Sequence, residues 1–525
     1  MNCVPRATNV NRETPWYLSF RLPLMPHPIV EIDELLRLVI EELVQISPQT
    51  TVSFAASCRS LEEPTLSSLW KRQVSLHTLV KVSPHHRAWL EPGNITRSLV
   101  SWCDFPSGHF TYQFPWAIKG DPPPTDWERL RRYASWMRGL CLEMSDDVTD
   151  DALSHLSHNS PDGVLFPKLE WLDWPITLSS VVRLHCFRLF LFPHLKHINL
   201  HDPSRGWFPF LQDLGPVAEV ISCLPASLEH LSMRFGPRDR GLLEGAVSSF
   251  VLRCGPPLRS FNSNTHLSEA ALHHLMQLPN LRCWVAFGEP PRTIPSLAFP
   301  SLEKLHLRSG GLSWLHLLTA RADGTLRDDL KSTAVVMKTN IKATLKFLSF
   351  PENTPVNPTL LSSILPFRNL VALYVGNDCC DTGDICTFDL TDYDVENLAD
   401  ALPSIATVKL GGVCGFNSCR TTVASLLSIS TRWLALTVLE IHFNTRTIAG
   451  DIRRLIDRGS RCDKPRCELE RLCVGRLPLR VPEEDIGTVA MGFADIFPRL
   501  KHFQSWDDIC DSNWECVASE LRARD

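Results

Sequence analysis

FPKLEWLDW, residues Phe166–Trp174, sets a proline two residues ahead of a leucine and then places apolar side chains at the first, fourth and sixth positions of a short frame, Leu169, Leu172 and Trp174. The frame recurs along the chain. Its copies are MRGLCL from Met137, LKHINL from Leu195, LEHLSM from Leu228, LRSFNS from Leu258, LRCWVA from Leu281, LEKLHL from Leu302, LKFLSF from Leu345, LVALYV from Leu370, IATVKL from Ile405, LTVLEI from Leu436, LERLCV from Leu469 and LKHFQS from Leu500. Their mean spacing of about 30 residues is close to that of a leucine-rich repeat.

Three apolar positions alone are weak evidence, because at this hydrophobic content they match by chance roughly 9% of the time. Proline decides the matter. Pro167, Pro193, Pro256, Pro279, Pro300, Pro403 and Pro498 stand two residues before a start, seven of thirteen, although the whole chain of 525 residues has only 39 prolines. A proline there stops the preceding helix, biases its neighbour to extended backbone and offers no N–H just before a strand opens.

Helix-patterned stretches lie between the frames. Thr391–Leu402 places Val395, Leu398 and Leu402 on one face, and His266–Gln277, Thr421–Trp433, Thr447–Arg458 and Pro482–Phe497 read likewise. A strand–turn–helix unit cannot bury its inner face alone and has to stack on its neighbours. The expected fold is therefore an α/β solenoid resembling leucine-rich repeats, with a concave parallel sheet and outer helices over 126–506. Residues 321–333 read as an exposed insertion, and 507–525 as a capping segment whose helix runs through Trp514, Val517 and Leu521.

Composition narrows the function. With 44% hydrophobic and 21% charged residues the chain has ample core material, and a net charge of −5 supplies no field for phosphate backbones or anionic lipid. Neither nucleic acid nor membrane is an expected partner. No charge-free apolar run reaches about 18 residues, and the first twenty residues lack the pattern of a secretory signal, so an intracellular location, cytoplasm or nucleus, is expected. The 18 cysteines are scattered singly and read mostly as buried thiols. Cys379, Cys380, Cys386, Cys414, Cys419, Cys462, Cys467 and Cys473 lack paired CxxC spacing, so no metal site is assigned. GxxxxGK[ST], GxSxG, HExxH and GxGxxG are absent, and neither catalytic residues nor a cofactor is expected.

Ahead of the repeats, Ile32, Leu35, Leu36, Val39 and Leu43 fall at helical spacing, with Glu31, Asp33 and Glu34 in the first turn. This helix ends at Ser47-Pro48. Thr50 or Thr51 reads as the cap of a second helix, Pro64 as the first turn of a third with Leu66, Leu69 and Trp70, and Leu76–Val82 as a fourth.

The order ELL-x-LVIEEL (Glu34–Leu43), then V-x-FAASCRSLEEPTLSSLWK (Val52–Lys71), closely resembles the F-box motif of mushroom-type fungal F-box/leucine-rich-repeat proteins, where a Cys-Arg pair and a Leu-Trp pair mark the same helices. The resemblance spans about Ile29–Pro84. PPTDWERLRRYASWMRGL, from Pro123 to Leu140, looks like the segment that leads into the repeats of those proteins. The Leu-Pro pair that commonly opens the family's first helix is absent.

The resemblance implies a non-catalytic substrate receptor of an SCF-type ubiquitin ligase. Its F-box would dock a Skp-family adaptor, and through it a cullin, while the repeats would hold the protein to be ubiquitinated. It divides the chain into a tail over 1–28, a helical F-box over 29–84, a Pro- and aromatic-rich connector over 85–125, the solenoid and the cap. Ile32, Leu35, Leu36, Val39, Leu66, Leu69 and Trp70 are expected to share the adaptor contact and the motif's own core. Some fifty residues of short amphipathic helices have little core of their own, which suits a docking element. Helices that merely cap a repeat-based interaction scaffold, and an enzyme or enzyme activator using the concave face, such as a GTPase-activating solenoid, are the other readings open at this point.

Strand alternation turns positions four and six inward and three, five and seven outward. The outward sets in the central bay are His197, Asn199 and His201; His230, Ser232 and Arg234; Ser260, Asn262 and Asn264; and Lys304, His306 and Arg308. This His-rich, mildly basic surface is the expected substrate face, suited to an acidic or phosphorylated segment.

Overall fold

The structure, a computed structural model, describes residues 33–83, 85, 90–92, 116–118, 123–142, 150–159, 165–175, 186–201, 214–236, 240–295, 298–308, 311–319, 341–350, 354–376, 388–411, 419–457, 467–474, 479, 481–505 and 512–523. Ile32, Trp102, Phe105, Phe110, the 321–333 insertion, and Cys379, Cys380, Cys386, Cys414 and Cys462 lie outside them. The chain divides into two compact units, Met1–Lys71 and Arg72–Asp525. The division falls within the span 29–84 of the sequence reading.

Among the described residues the first unit holds three helices, α1 (Asp33–Ile46), α2 (Pro48–Ser57) and α3 (Arg59–Leu69). Leu36 and Ile40 of α1 meet Leu61 of α3 in a small core that Val44 and Phe54 complete. The cap of α2 is Ser47, whose hydroxyl accepts from the Thr50 amide, rather than Thr50 or Thr51. Pro48 explains the earlier start, since a missing N–H costs nothing at the first helical position. Pro64 lies inside α3 rather than opening it, because burial of Leu61 in the core holds the preceding turn helical.

Among the described residues the second unit holds an open sheet of fourteen parallel strands, each paired with the strands of that sheet that come before and after it in the chain. The strands are β1 (Arg72–Gln73), β4 (Gly139–Cys141), β5 (Trp171–Pro175), β6 (His197–His201), β7 (His230–Arg234), β8 (Ser260–Ser263), β9 (Cys283–Ala286), β10 (Lys304–Leu307), β11 (Phe347–Ser349), β12 (Ala372–Val375), β13 (Thr407–Leu410), β14 (Val438–Ile441), β15 (Arg471–Val474) and β16 (His502–Ser505). All thirteen frames of the sequence are strands. β1, which pairs with β4 through Arg72↔Gly139, was not legible, because its short polar segment KRQVS carries no apolar triplet. Within 85–125, β2 (Leu90–Pro92) and β3 (Trp116–Ile118) form a separate antiparallel pair.

The prolines act through a turn. Leu169 N donates to Phe166 O at 3.3 Å, Leu195 to Phe192 at 3.0 Å and Leu500 to Phe497 at 3.1 Å, which sets Pro167, Pro193 and Pro498 at the second position of i→i+3 turns. The fixed φ of proline suits that position. Leu370 and Leu436 close the same turn without proline, since other residues also adopt its backbone angles. Each second-position carbonyl then accepts two amides of the next repeat: Glu170 and Trp171 reach Arg138 O at 2.7 and 2.9 Å, and the doublet recurs as far as Lys501 and His502 on Glu470 O.

Burial alternates as expected along the central strands, but not in β14 and β15, where Glu440 and Cys473 at position five are buried as well. Ile198, Leu200, Leu231, Met233, Leu305 and Leu307 are buried, whereas His197, Asn199, His230, Ser232 and His306 are half-buried. The inward side chains meet the helices, as where Trp284 of β9 packs edge-on against Trp314 of helix Gly311–Thr319 at 5.0 Å. Helix Asp392–Ala401 starts at a capping box between Thr391 and Asp394. Helix Ser512–Arg522 buries Trp514 beside Phe443, Phe493 and Phe503.

Candidate functional site

Two surfaces carry the residues that the sequence singles out. On α1 the apolar residues form two rows. Leu36 and Ile40 point into the three-helix core, while Leu35 (44% exposed), Leu38 (59%), Val39 (44%) and Ile46 (77%) face outward. Spacings of three, four and eleven residues keep these four within one stripe of the helix. Leu66 and Leu69 are half-buried and Trp70 is buried. Of the expected adaptor residues, Leu35 and Val39 are thus free to meet a partner and Leu36 belongs to the unit's own core. Leu38 and Ile46 were not singled out, although their spacing from Leu35 is the signal that finds them.

The second surface is the outward face of the sheet. The rings of His197 and His230 stack at 4.2 Å and 6°. Burial lowers both imidazoles below their ordinary pKa; at His230 the neighbouring His197 lowers it further. Beside them Asn199 Nδ2 donates to Asp173 Oδ1 at 3.0 Å, and His201 Nδ1 lies 3.0 Å from the same oxygen. Burial opposes ionisation of Asp173, but contacts from His201 and Asn199 outweigh it and hold the carboxyl below the ordinary range. Asp173 stands at position five of β5 and was missed because the basic strands drew the assignment.

Further along, His306 packs against Phe347 at 4.6 Å, Phe347 against Tyr374 at 4.9 Å, and Lys409 Nζ sits 5.5 Å from the Tyr374 ring and 3.1 Å from Glu440. Burial, reinforced by Arg308 and Lys304, pushes the His306 pKa down to about 4. The face therefore changes character along its length, from stacked histidines to an aromatic row ending in an ion pair.

Below it runs a row of charges at position two of ten of the thirteen frames, Val371, Ala406 and Thr437 standing there in the other three. Arg138 pairs with Glu170 at 2.5 Å, Glu229 with both Lys196 and Arg259 at 3.5 Å, Glu303 with Lys346 at 3.7 Å and Glu470 with Lys501 at 2.6 Å. The alternation breaks at Arg259 and Arg282, where two cations stand on adjacent strands. Arg234, Lys304 and Arg308 are exposed close by, which leaves β7–β10 the basic part of the sheet. Such an arrangement can hold an anionic segment. Among the described residues no group of three or more His, Cys, Asp or Glu could hold a metal ion, and no helix is long and apolar enough to cross a membrane.

No family model matches the chain. Nor does any curated protein. Among solved structures it is similar to a chain in the crystal structure of the Rad7 and Elc1 complex in yeast, at 14% identity and a TM-score of 0.32, covering 65% of this chain and 76% of that one. A likeness of that degree bears on neither activity nor partners.

Proposed function

We propose that the protein is a non-catalytic substrate receptor of an SCF-type ubiquitin ligase, acting inside the cell, with α1–α3 docking a Skp-family adaptor and the repeats holding the protein to be ubiquitinated. The observation that carries this reading is the double apolar character of α1. Leu36 and Ile40 build the unit's own core, while Leu35, Leu38, Val39 and Ile46 stay in solvent, in a segment whose sequence resembles an F-box. Four large apolar side chains on one helical stripe are costly to leave wet and fit an apolar partner groove. A fourteen-stranded open sheet with a polar outer face supplies the length and variety of side chains that client recognition needs.

A pull-down of the full chain with a Skp-family adaptor tests the reading. Leu35→Asp and Val39→Asp are expected to abolish capture with the helical content unchanged by circular dichroism, because neither side chain supports the core. Leu36→Ala is expected to weaken capture only by unfolding the unit, at a cost of about 2–5 kcal/mol. Wild-type chain that captures no adaptor, or full capture by both Asp variants, would overturn the proposal and leave a repeat-based scaffold.

A further inference from the structure

The parallel register lines up the residues that follow β7–β10. Met233↔Ser263 places Arg234 beside Asn264, Asn262↔Val285 places Asn264 beside Phe287, and Arg308 N donates to Ala286 O at 2.9 Å, which sets Arg308 next to Phe287. Asn264 is a rigid strut in this rim, since its side chain accepts from Phe235 N at 2.9 Å and donates to Phe235 O at 2.7 Å.

Phe287 is a platform. The Arg240 guanidinium lies 4.8 Å from its ring centre and His266 packs against it at 5.1 Å. The turn beneath is locked: Gly288 has φ +93°, a Cβ there would overlap His266, and Trp314 Nε1 donates to Gly288 O at 2.8 Å. Arg240 Nε is buried without a hydrogen-bond partner, and among the described residues Arg234, Arg240 and Arg308 enter no ion pair. The exposed Glu289, next after Gly288, is paired with none of them. A half-buried guanidinium on an aromatic ring, its Nε enclosed and without an acceptor among the described residues, can take an anionic partner, because a partly desolvated charge gains by being paired.

We propose that this rim binds an extended acidic peptide with carboxylates at alternate positions, one each toward Arg234, Arg240 and Arg308. The assignment rests on the preceding reading, in which the repeats hold the client, and names the client's chemistry. From β7 to β10 the rim covers three strand spacings, about 14 Å, and side chains at i, i+2 and i+4 of an extended peptide span about 13 Å. Cations spread along a line match several carboxylates better than one compact group. Charge-assisted bonds to guanidinium forks supply both affinity and register.

Fluorescence polarisation with the full chain tests it, using degenerate peptide pools whose three alternate positions are Glu, Gln or phosphoserine and whose other positions are random uncharged residues. The Glu pool is expected to bind at least about tenfold tighter than the Gln pool, with R240Q and R308Q each losing about tenfold and R471Q, on distant β15, losing nothing. Equal binding of the Glu and Gln pools, or wild-type affinity in both R240Q and R308Q, would overturn the proposal. A marked preference for the phosphoserine pool would also overturn it, assigning the rim to phosphorylated clients. Adaptor pull-down with the wild-type chain separates the two readings: capture by a chain that does not discriminate the pools refutes the rim alone, and no capture by a chain that does discriminate them refutes the ligase reading alone.

Discussion

His306 stands at position five of β10, half-buried between Lys304 and Arg308, and its pKa falls from the ordinary 6.5 to about 4. The unfolded chain therefore takes up a proton at this site between about pH 6.5 and pH 4 while the folded chain does not, so the residue costs stability as pH falls through that window. His197 and His230 act in the same direction. We expect His306→Gln to flatten the loss of stability between pH 7 and pH 5, measured as the urea midpoint at each pH. A loss as steep as in wild type would show that His306 is protonated as readily folded as unfolded. The residue type and its outward position were legible from strand alternation. The depressed basicity was not, since it comes from Phe347 packing beside it and from the charges of its own strand.

The helix Asp392–Ala401 shows how much of an element local sequence decides. Thr391 accepts from the Asp394 amide while the Asp394 carboxylate accepts from the Thr391 amide, so the helix starts where T-x-x-D says it should. Thr391→Ala should cost about 1 kcal/mol in chemical denaturation, and no change would mean that the stack alone fixes the start. Elsewhere tertiary context overrules the local signal. Pro64 sits within α3 although proline disfavours a helix interior, because Leu61 and Thr65 on either side of it are buried. On α1 the 3.6-residue period identified an amphipathic helix but could not say which of two adjacent apolar rows faces inward. Only the packing of Leu61 and Phe54 against Leu36 and Ile40 settles that.

At the scale of the whole sheet, each repeat touches its neighbours and little else, so stability is a chain of nearest-neighbour terms. The end repeats are the weakest points. Trp514 of helix Ser512–Arg522 fills the space among Phe443, Phe493 and Phe503 behind β14–β16. Trp514→Ala is expected to cost about 3–5 kcal/mol locally and to release amide protection in β15 and β16 first, with β5–β8 kept, by hydrogen exchange. Uniform loss along the sheet would mean that the solenoid unfolds as one cooperative body.

The amino-acid order by itself determined the repeat, thirteen of the fourteen sheet strands among the described residues, the outward and inward sides of the central strands, and several of the helices between them. Period-two and period-3.6 patterns with proline turns are local properties, readable wherever backbone sterics and burial agree. Only the tertiary structure decided which apolar row of α1 stays exposed, that Arg72–Gln73 adds a strand, and that Arg240 and Arg308 lie at Phe287 with Arg234 farther along the same edge of the sheet. Those relations join residues of different elements, brought side by side by strand pairing and helix packing, and no local pattern in the chain encodes them.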